Sequence, residues 1–108
     1  MSNTVRKEYI KAKGDNQYIA VELYYSLGGI NYFTYKNEPR GYYMSICPVE
    51  RKEYAPGCMM EAAFTGRKML VEECQRKGKG AEARALAKWD ECKAKLMPEF
   101  AHLVEEVA

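Results

Sequence analysis

Apolar and polar positions alternate through the first half of the chain. Within residues 18–25 the odd positions share one face of a strand, and Tyr18, Glu22 and Tyr24 share the other face. Turn residues follow at 26–29 and 37–41, where glycine and proline favour reversal of the chain. The pattern predicts antiparallel strands at 18–25, 30–35 and 42–49. It leaves residues 59–65 open between a fourth strand and the entry to a helix.

The second half has the spacing of helices. Met69, Leu70 and Cys74 recur at helical intervals, and the basic, glycine-containing stretch 76–80 is typical of a helix end. A second apolar stripe then continues through Leu86, Trp89, Leu96, Phe100, Leu103 and Val107. We therefore predict helices across residues 67–107.

Together these elements predict a single α+β domain over residues 1–108. Its antiparallel meander sheet of three or four strands lies within residues 18–65, and two C-terminal helices pack on one face. Residues 1–16 are expected to be mobile or to add an edge strand. The aliphatic side of the sheet is expected to meet the helical stripe, through Ile19, Val21, Leu23, Met44 and Ile46 on the sheet and Leu86, Trp89 and Leu96 on the helices.

Composition agrees with an ordinary globular domain. The chain has 108 residues, of which 47% are hydrophobic and 30% charged, and its nine tyrosines supply too much apolar area for extended disorder. No apolar run is long enough to span a bilayer, and the first residues lack the apolar stretch of a secretory signal. We expect no membrane association and a cytoplasmic location.

Catalytic and metal-binding signatures are weak. The cysteines, at positions 47, 58, 74 and 92, include no CxxC pair, and His102 is the single histidine. We therefore expect four reduced thiols, no metal, no cofactor and no enzymatic activity. A thiol enzyme built on one cysteine and His102 remains a lesser alternative, because folding can bring such a pair together.

Tyrosines crowd the predicted strands, and several lie on the side away from the aliphatic residues. An open face of this kind suits protein binding or the stacking of unpaired bases. The alternative is that tyrosine serves only as a good strand former with a solvated hydroxyl. The candidate partner-binding residues are Tyr18, Glu22, Tyr24, Tyr35, Arg40 and Tyr43.

Positive charge is concentrated in the predicted helical half. The net charge is only +2, but residues 66–95 carry nine bases and five acids. This stretch either binds phosphate groups or forms a solvated face with interspersed ion pairs. The candidate basic patch consists of Arg67, Lys68, Arg76, Lys77 and Lys79.

The segment VELYYSLGGINYFTYKNEPRGYYMSICPVER at 21–51, together with AFTGRK at 63–68, resembles small uncharacterised proteins of bacterial phages and conjugative elements. The resemblance covers about half of the chain and brings no activity or functional residue with it. Small proteins of this class often bind host nucleic-acid machinery stoichiometrically, and some inhibit CRISPR effectors.

We therefore expect a non-enzymatic interaction protein of mobile-element type, with a host protein or ribonucleoprotein as its partner and anti-defence inhibition as one such role. Two alternatives are direct binding of single-stranded DNA or RNA, and a structural domain with no separable activity. A homodimer through an exposed edge strand is a further alternative.

Overall fold

The computed structural model describes residues 2–32, 34–63 and 69–105. In these residues the chain forms strands β1 (Ser2–Lys11), β2 (Gln17–Ser26), β3 (Gly29–Asn31), β4 (Lys36–Glu38), β5 (Gly41–Ala55), β6 (Cys58–Ala63) and β7 (Leu70–Arg76), then helices α1 (Ala81–Ala87) and α2 (Trp89–Leu96), and 3₁₀ turns at Met97–Glu99 and Ala101–Leu103. None of the described helices is long and apolar enough to cross a lipid bilayer.

The main sheet is built around β2 and the 15-residue strand β5. β1 pairs with the outer side of β2, and every pairing in the sheet is antiparallel. The other side of β5 is shared, since residues 41–46 pair with β7 and residues 49–55 pair with β6. The predicted α+β architecture, an antiparallel sheet with two C-terminal helices packed against it, is confirmed.

The structure decides three local predictions in the first two thirds of the chain. Residues 1–16 contain β1, so the edge-strand alternative holds for Ser2–Lys11. The segment 59–65 is a strand as far as Ala63, and Phe64 and Thr65 lie outside the described residues. The single strand predicted at 30–35 is wrong. Instead, β3 and β4 form a separate two-stranded hairpin, and Tyr32, Thr34 and Tyr35 lie in the turn between them.

The helix predicted from residue 67 is wrong over Leu70–Arg76, which form β7. Pairs of opposite charge four residues apart stabilise a helix by only about 0.2–0.5 kcal/mol each. Pairing with the open half of β5 instead satisfies a ladder of backbone hydrogen bonds and buries Cys74. Tertiary pairing therefore outweighs the local helical spacing.

The hydrophobic core lies between one face of the sheet, here called the near face, and the two helices. Its largest fully buried side chains are the five predicted aliphatic residues, Ile19, Val21, Leu23, Met44 and Ile46. Trp89, Leu96 and Phe100 pack against them from the helical layer, as the stripe predicts. Leu86 does not: 39% of it is exposed, and Ala81 and Ala85 are the buried residues of α1. Val107 lies outside the described residues.

Polar contacts hold the helical layer in place at its borders. The Arg6 guanidinium of β1 stacks 4.1 Å above the centre of the Trp89 ring, and Glu8 forms an ion pair with Lys93. After the last 3₁₀ turn, the Glu105 amide donates to the carbonyl of Lys11 at 3.1 Å. The end of the described chain is thereby fastened to the end of β1.

Replacing a buried leucine of the near face should destabilise the fold far more than replacing the exposed one. Leu23→Ala removes a fully buried side chain and should cost about 2–5 kcal/mol. Leu86→Ala, the matched control, should cost less than about 1 kcal/mol because its side chain is partly solvated. Urea unfolding followed by far-UV circular dichroism measures both values. Equal losses for the two variants would contradict this description of the core.

Candidate interaction surface

The opposite face of the sheet, here called the far face, carries the tyrosines predicted as an open platform. Tyr24 and Tyr43 are cross-strand partners, and their rings stack with centroids 5.9 Å apart and planes 23° apart. Only 7% of Tyr24 and 5% of Tyr43 are exposed, however. The prediction that these two rings lie open for a partner is therefore wrong: period-two alternation placed them on the far face, but that face is covered here.

The β3–β4 hairpin provides the cover. The Tyr24 hydroxyl donates to Glu38 at 2.9 Å, and the Asn31 side-chain amide donates to the same carboxylate at 2.8 Å. The Tyr43 hydroxyl donates to the carbonyl of Pro39 at 2.6 Å. Burial and the adjacent Glu38 carboxylate raise the pKa of Tyr24 above its ordinary value. Both tyrosines thus bind the hairpin to the sheet and are not free to recognise a partner.

Tyr18 belongs to a second aromatic cluster at the other end of the far face. Tyr9 meets Tyr18 edge to face with centroids 6.3 Å apart, and the Arg51 guanidinium lies 3.9 Å from the centre of the Tyr9 ring. Glu61 accepts hydrogen bonds from Tyr9 and from Lys7. Burial opposes the charge of Glu61, but these hydrogen bonds and the charges of Lys7 and Arg51 outweigh it and lower the pKa. The cations, the aromatic rings and the Glu61 carboxylate of this cluster are therefore all engaged in contacts with one another.

Glu22 lies between the two aromatic clusters. It is half-buried, and its carboxylate accepts a hydrogen bond from the Thr4 hydroxyl. An open cavity of about 280 Å³ separates this part of β2 from the β3–β4 hairpin, with Glu22, Glu38 and Ile30 among its lining residues. Glu22 also lines a second cavity of about 220 Å³ on its other side, so its carboxylate is reached through these two recesses.

Exposed apolar side chains occur on the two hairpins. The segment from Leu27 to Arg40, which contains the β3–β4 hairpin and is here called the upper hairpin, contributes four described ones: Leu27, Ile30, Tyr32 and Tyr35. Tyr32 is 79% exposed and Tyr35 is 83% exposed. The β5–β6 hairpin contributes Tyr54, Met59 and Met60, each at least half exposed.

Local backbone geometry explains how the chain turns from β2 into the upper hairpin. Gly28 and Gly29 have φ of 94° and 117°, a region that side-chain-bearing residues rarely adopt. Arg40 closes the base of the hairpin by donating from Nε to the carbonyl of Leu27 at 3.1 Å. Sequence reasoning selected Tyr35 and Arg40 here but missed Ile30 and Tyr32. The signal that could have found them was the position of both residues beside a turn.

The predicted basic patch is only partly assembled. Arg76, Lys77 and Lys79 are all exposed at the end of β7 and just beyond it. Arg76 forms an ion pair with Glu73 at 2.9 Å, which offsets part of its charge. The register pairs Gly41 with Arg76 and so places Arg40 beside the same corner of the sheet. Arg67 and Lys68 lie outside the described residues.

In residues 2–32, 34–63 and 69–105, no three His, Cys, Asp or Glu side chains are arranged to bind a metal ion. His102 is exposed in the last 3₁₀ turn. Comparisons with family models, curated proteins and solved structures find no match to the chain. Its function has to be inferred from its own residues.

Removing the Tyr24 hydroxyl should loosen the upper hairpin. Tyr24→Phe should lower the free energy of unfolding by about 1.5–3 kcal/mol at neutral pH, because a buried hydrogen bond to a carboxylate is lost. Tyr35→Phe, at an exposed position, is the matched control and should change little.

The same pair of proteins tests the pKa of Tyr24. A raised pKa in the folded state gives stability that is fully present below the unfolded value of about 10 and is lost as pH rises further. The difference between the wild type and Tyr24→Phe should therefore narrow above about pH 10. Urea unfolding at neutral and alkaline pH measures it. A difference that stays constant over this range would contradict the assigned hydrogen bond.

Proposed function

We propose that this chain is a non-catalytic interaction protein that binds a partner protein, alone or within a ribonucleoprotein, through the apolar side chains of the upper hairpin. The observation that supports the proposal is the exposure of Ile30, Tyr32 and Tyr35 on one short hairpin. Single exposed apolar residues are ordinary on protein surfaces, but several on one projecting loop are typical of a contact site. Tyrosine is also enriched at the centres of protein interfaces.

Rigidity of the hairpin base favours this use. The contacts of Tyr24 and Asn31 with Glu38, and of Arg40 with Leu27, hold the hairpin against the far face. A partner that docks on Tyr32 and Tyr35 has less chain entropy to remove than it would on a free loop. The β5–β6 hairpin offers a second contact through Met59 and Met60, whose flexible side chains adapt to varied surfaces.

The class of partner in this proposal comes from the expected resemblance of residues 21–51 and 63–68 to phage and conjugative-element proteins. On this proposal the partner belongs to the host nucleic-acid machinery, the setting is cytoplasmic, and inhibition of a defence complex is one role that fits. Stoichiometric inhibitors need a contact surface rather than a catalytic group. The proposed surface meets that requirement with side chains that the fold itself does not bury.

Alanine at two exposed positions of the upper hairpin should strongly reduce the amount of partner that the protein captures. The double variant Ile30→Ala/Tyr35→Ala should recover at least about tenfold less of the bound protein, since hot-spot side chains contribute about 1–2 kcal/mol or more each. The measurement is quantitative mass spectrometry of proteins retained from a nuclease-treated host lysate at physiological salt. Leu86→Ala, exposed on a helix, is the matched control and should capture the partner normally.

The proposal requires that one and the same host protein is retained by Leu86→Ala and not by Ile30→Ala/Tyr35→Ala. Equal recovery with all three chains, or no protein retained by the wild type, would rule out the upper hairpin as the contact site. Light scattering on the purified chains tests self-association, because the edge of β6 that faces away from β5 pairs with no strand in residues 2–32, 34–63 and 69–105 and could pair with a second copy.

Direct binding of single-stranded nucleic acid is the second candidate. The observation that favours it is the presence of exposed Lys36 and Arg40 on the same hairpin segment as the open rings of Tyr32 and Tyr35. Rings supply stacking for unpaired bases, and nearby cations attract the phosphate backbone.

This candidate makes a distinct prediction for an oligonucleotide. Tyr35→Ala should weaken binding by about 5- to 150-fold, which corresponds to about 1–3 kcal/mol of lost stacking, while Tyr35→Phe keeps the ring and should bind normally. Fluorescence anisotropy with a labelled single strand measures both variants. Affinity should also fall steeply as salt is raised. Absence of binding at low salt, or equal affinity of the alanine and phenylalanine variants, would eliminate base stacking by Tyr35.

A further inference from the structure

Two cysteines lie side by side in the core, 18 positions apart in sequence. Cys74 is on β7 and Cys92 is on α2, and the Cys74 thiol donates to the Cys92 sulfur across 2.8 Å. Both residues are buried, with 5% and 3% of their surfaces exposed. A disulfide bond is about 2.05 Å long, so less than about 1 Å of movement separates the two sulfurs from bonding distance.

The surrounding contacts hold the two sulfurs together. Lys88, at the junction of α1 and α2, donates to the carbonyl of Cys74 at 3.1 Å and to the side chain of Gln75 at 2.9 Å. Trp89 fixes the start of α2 through its stacking with Arg6. The strand and the helix that carry the cysteines are therefore fixed relative to each other, which favours a bond between them.

The other two cysteines differ from this pair. Cys47 is buried on the far face, where it packs with Ala20 and Val49. Cys58 is exposed on the β5–β6 hairpin. Among the described residues, neither forms a hydrogen bond with another cysteine, so the two serve as internal controls.

We propose that Cys74 and Cys92 are a disulfide-forming pair, oxidised by a small-molecule disulfide such as oxidised glutathione. One thiolate attacks a glutathione sulfur, forming a mixed disulfide and releasing one glutathione thiolate. The second cysteine thiolate then attacks the protein sulfur of the mixed disulfide and releases the other glutathione. The two protein thiols lose two protons and two electrons, and one oxidised glutathione becomes two reduced molecules.

Burial decides when this reaction occurs. Burial and the adjacent Cys92 thiol raise the pKa of Cys74 to about 12, so little Cys74 thiolate is present in the folded protein at neutral pH. Because both cysteines are also buried away from a dissolved disulfide, we expect oxidation to be faster during folding, before α2 covers the pair. Once formed, the bond links the last strand to α2 and encloses α1 in a closed loop, which restricts the unfolded chain.

Refolding in a glutathione redox buffer tests the proposal. The reduced, unfolded protein is diluted into reduced and oxidised glutathione, the remaining thiols are blocked with N-ethylmaleimide, and the product is digested with trypsin. Each cysteine then lies in a different peptide: 41–51, 53–67, 69–76 and 89–93. We expect peptides 69–76 and 89–93 to be linked and the other two to be blocked. The oxidised protein should melt about 10 °C or more above the reduced protein.

Variants make the assignment specific. Cys47→Ser/Cys58→Ser retains the pair and should give the same linked peptides and the same rise in melting temperature. Cys92→Ser should give no internal disulfide, and the double variant decides the matter if Cys92→Ser does not fold. Four blocked cysteines after refolding, a link that includes Cys58, or an oxidised form that melts below the reduced form would each overturn the proposal.

Discussion

The fold depends on the pairing of one strand, because β5 forms backbone ladders with three neighbouring strands. β2 occupies one side, while β7 and β6 divide the other side between residues 41–46 and 49–55. Because side chains alternate, this one register decides which residues of four strands face the helices and which face away. Gly41 is part of the constraint: a Cβ there would come within 2.8 Å of the Gln75 carbonyl and push β7 away from β5.

Two helices cover only one face of this sheet, and the other face is closed in a different way. On the far face, the β3–β4 hairpin covers the Tyr24–Tyr43 stack. At the Tyr9–Tyr18 cluster, Arg51 lies over the Tyr9 ring and forms an ion pair with Glu61. Such polar clusters need every member satisfied, because an unpaired group that is shielded from water is costly. Tyr24 and Tyr43 on the far face are thus engaged in contacts within the fold, and the exposed apolar side chains lie on the hairpins instead.

Periodicity in the sequence was enough to locate β2, β5 and the core they share. The odd positions of residues 19–23 and the helical stripe through Trp89 and Leu96 lie where the pattern puts them, because burial on one face imposes the period. The same alternation does not predict that the β3–β4 hairpin covers the far face. That depends on Glu38, a residue with an ordinary turn-like context, reaching Tyr24 from 14 positions away.

Long-range pairing also explains the failure at Leu70–Arg76. Within this segment the helical spacing of Leu70 and Cys74 fits an amphipathic helix, and nothing local reveals the unpaired half of β5. The exposed residues of the hairpins were missed for a related reason. Ile30 and Tyr32 have the composition of a strand, and only the positive φ angles at Gly28 and Gly29 turn them outward.

The sheet separates the proposed contact surface from the proposed disulfide pair. The upper hairpin stands on the far face, whereas Cys74 and Cys92 lie under the helices on the near face, with β2 and β5 between them. The strands between them hold the fully buried residues of the core and have little freedom to move. The proposed bond between Cys74 and Cys92 should therefore restrict the unfolded chain and α2, and we expect no change in the conformation of Tyr32 and Tyr35. Substitutions at Tyr32 or Tyr35 and at Cys74 or Cys92 should consequently change the free energy of unfolding additively, since the two sites are distant and share no contacts.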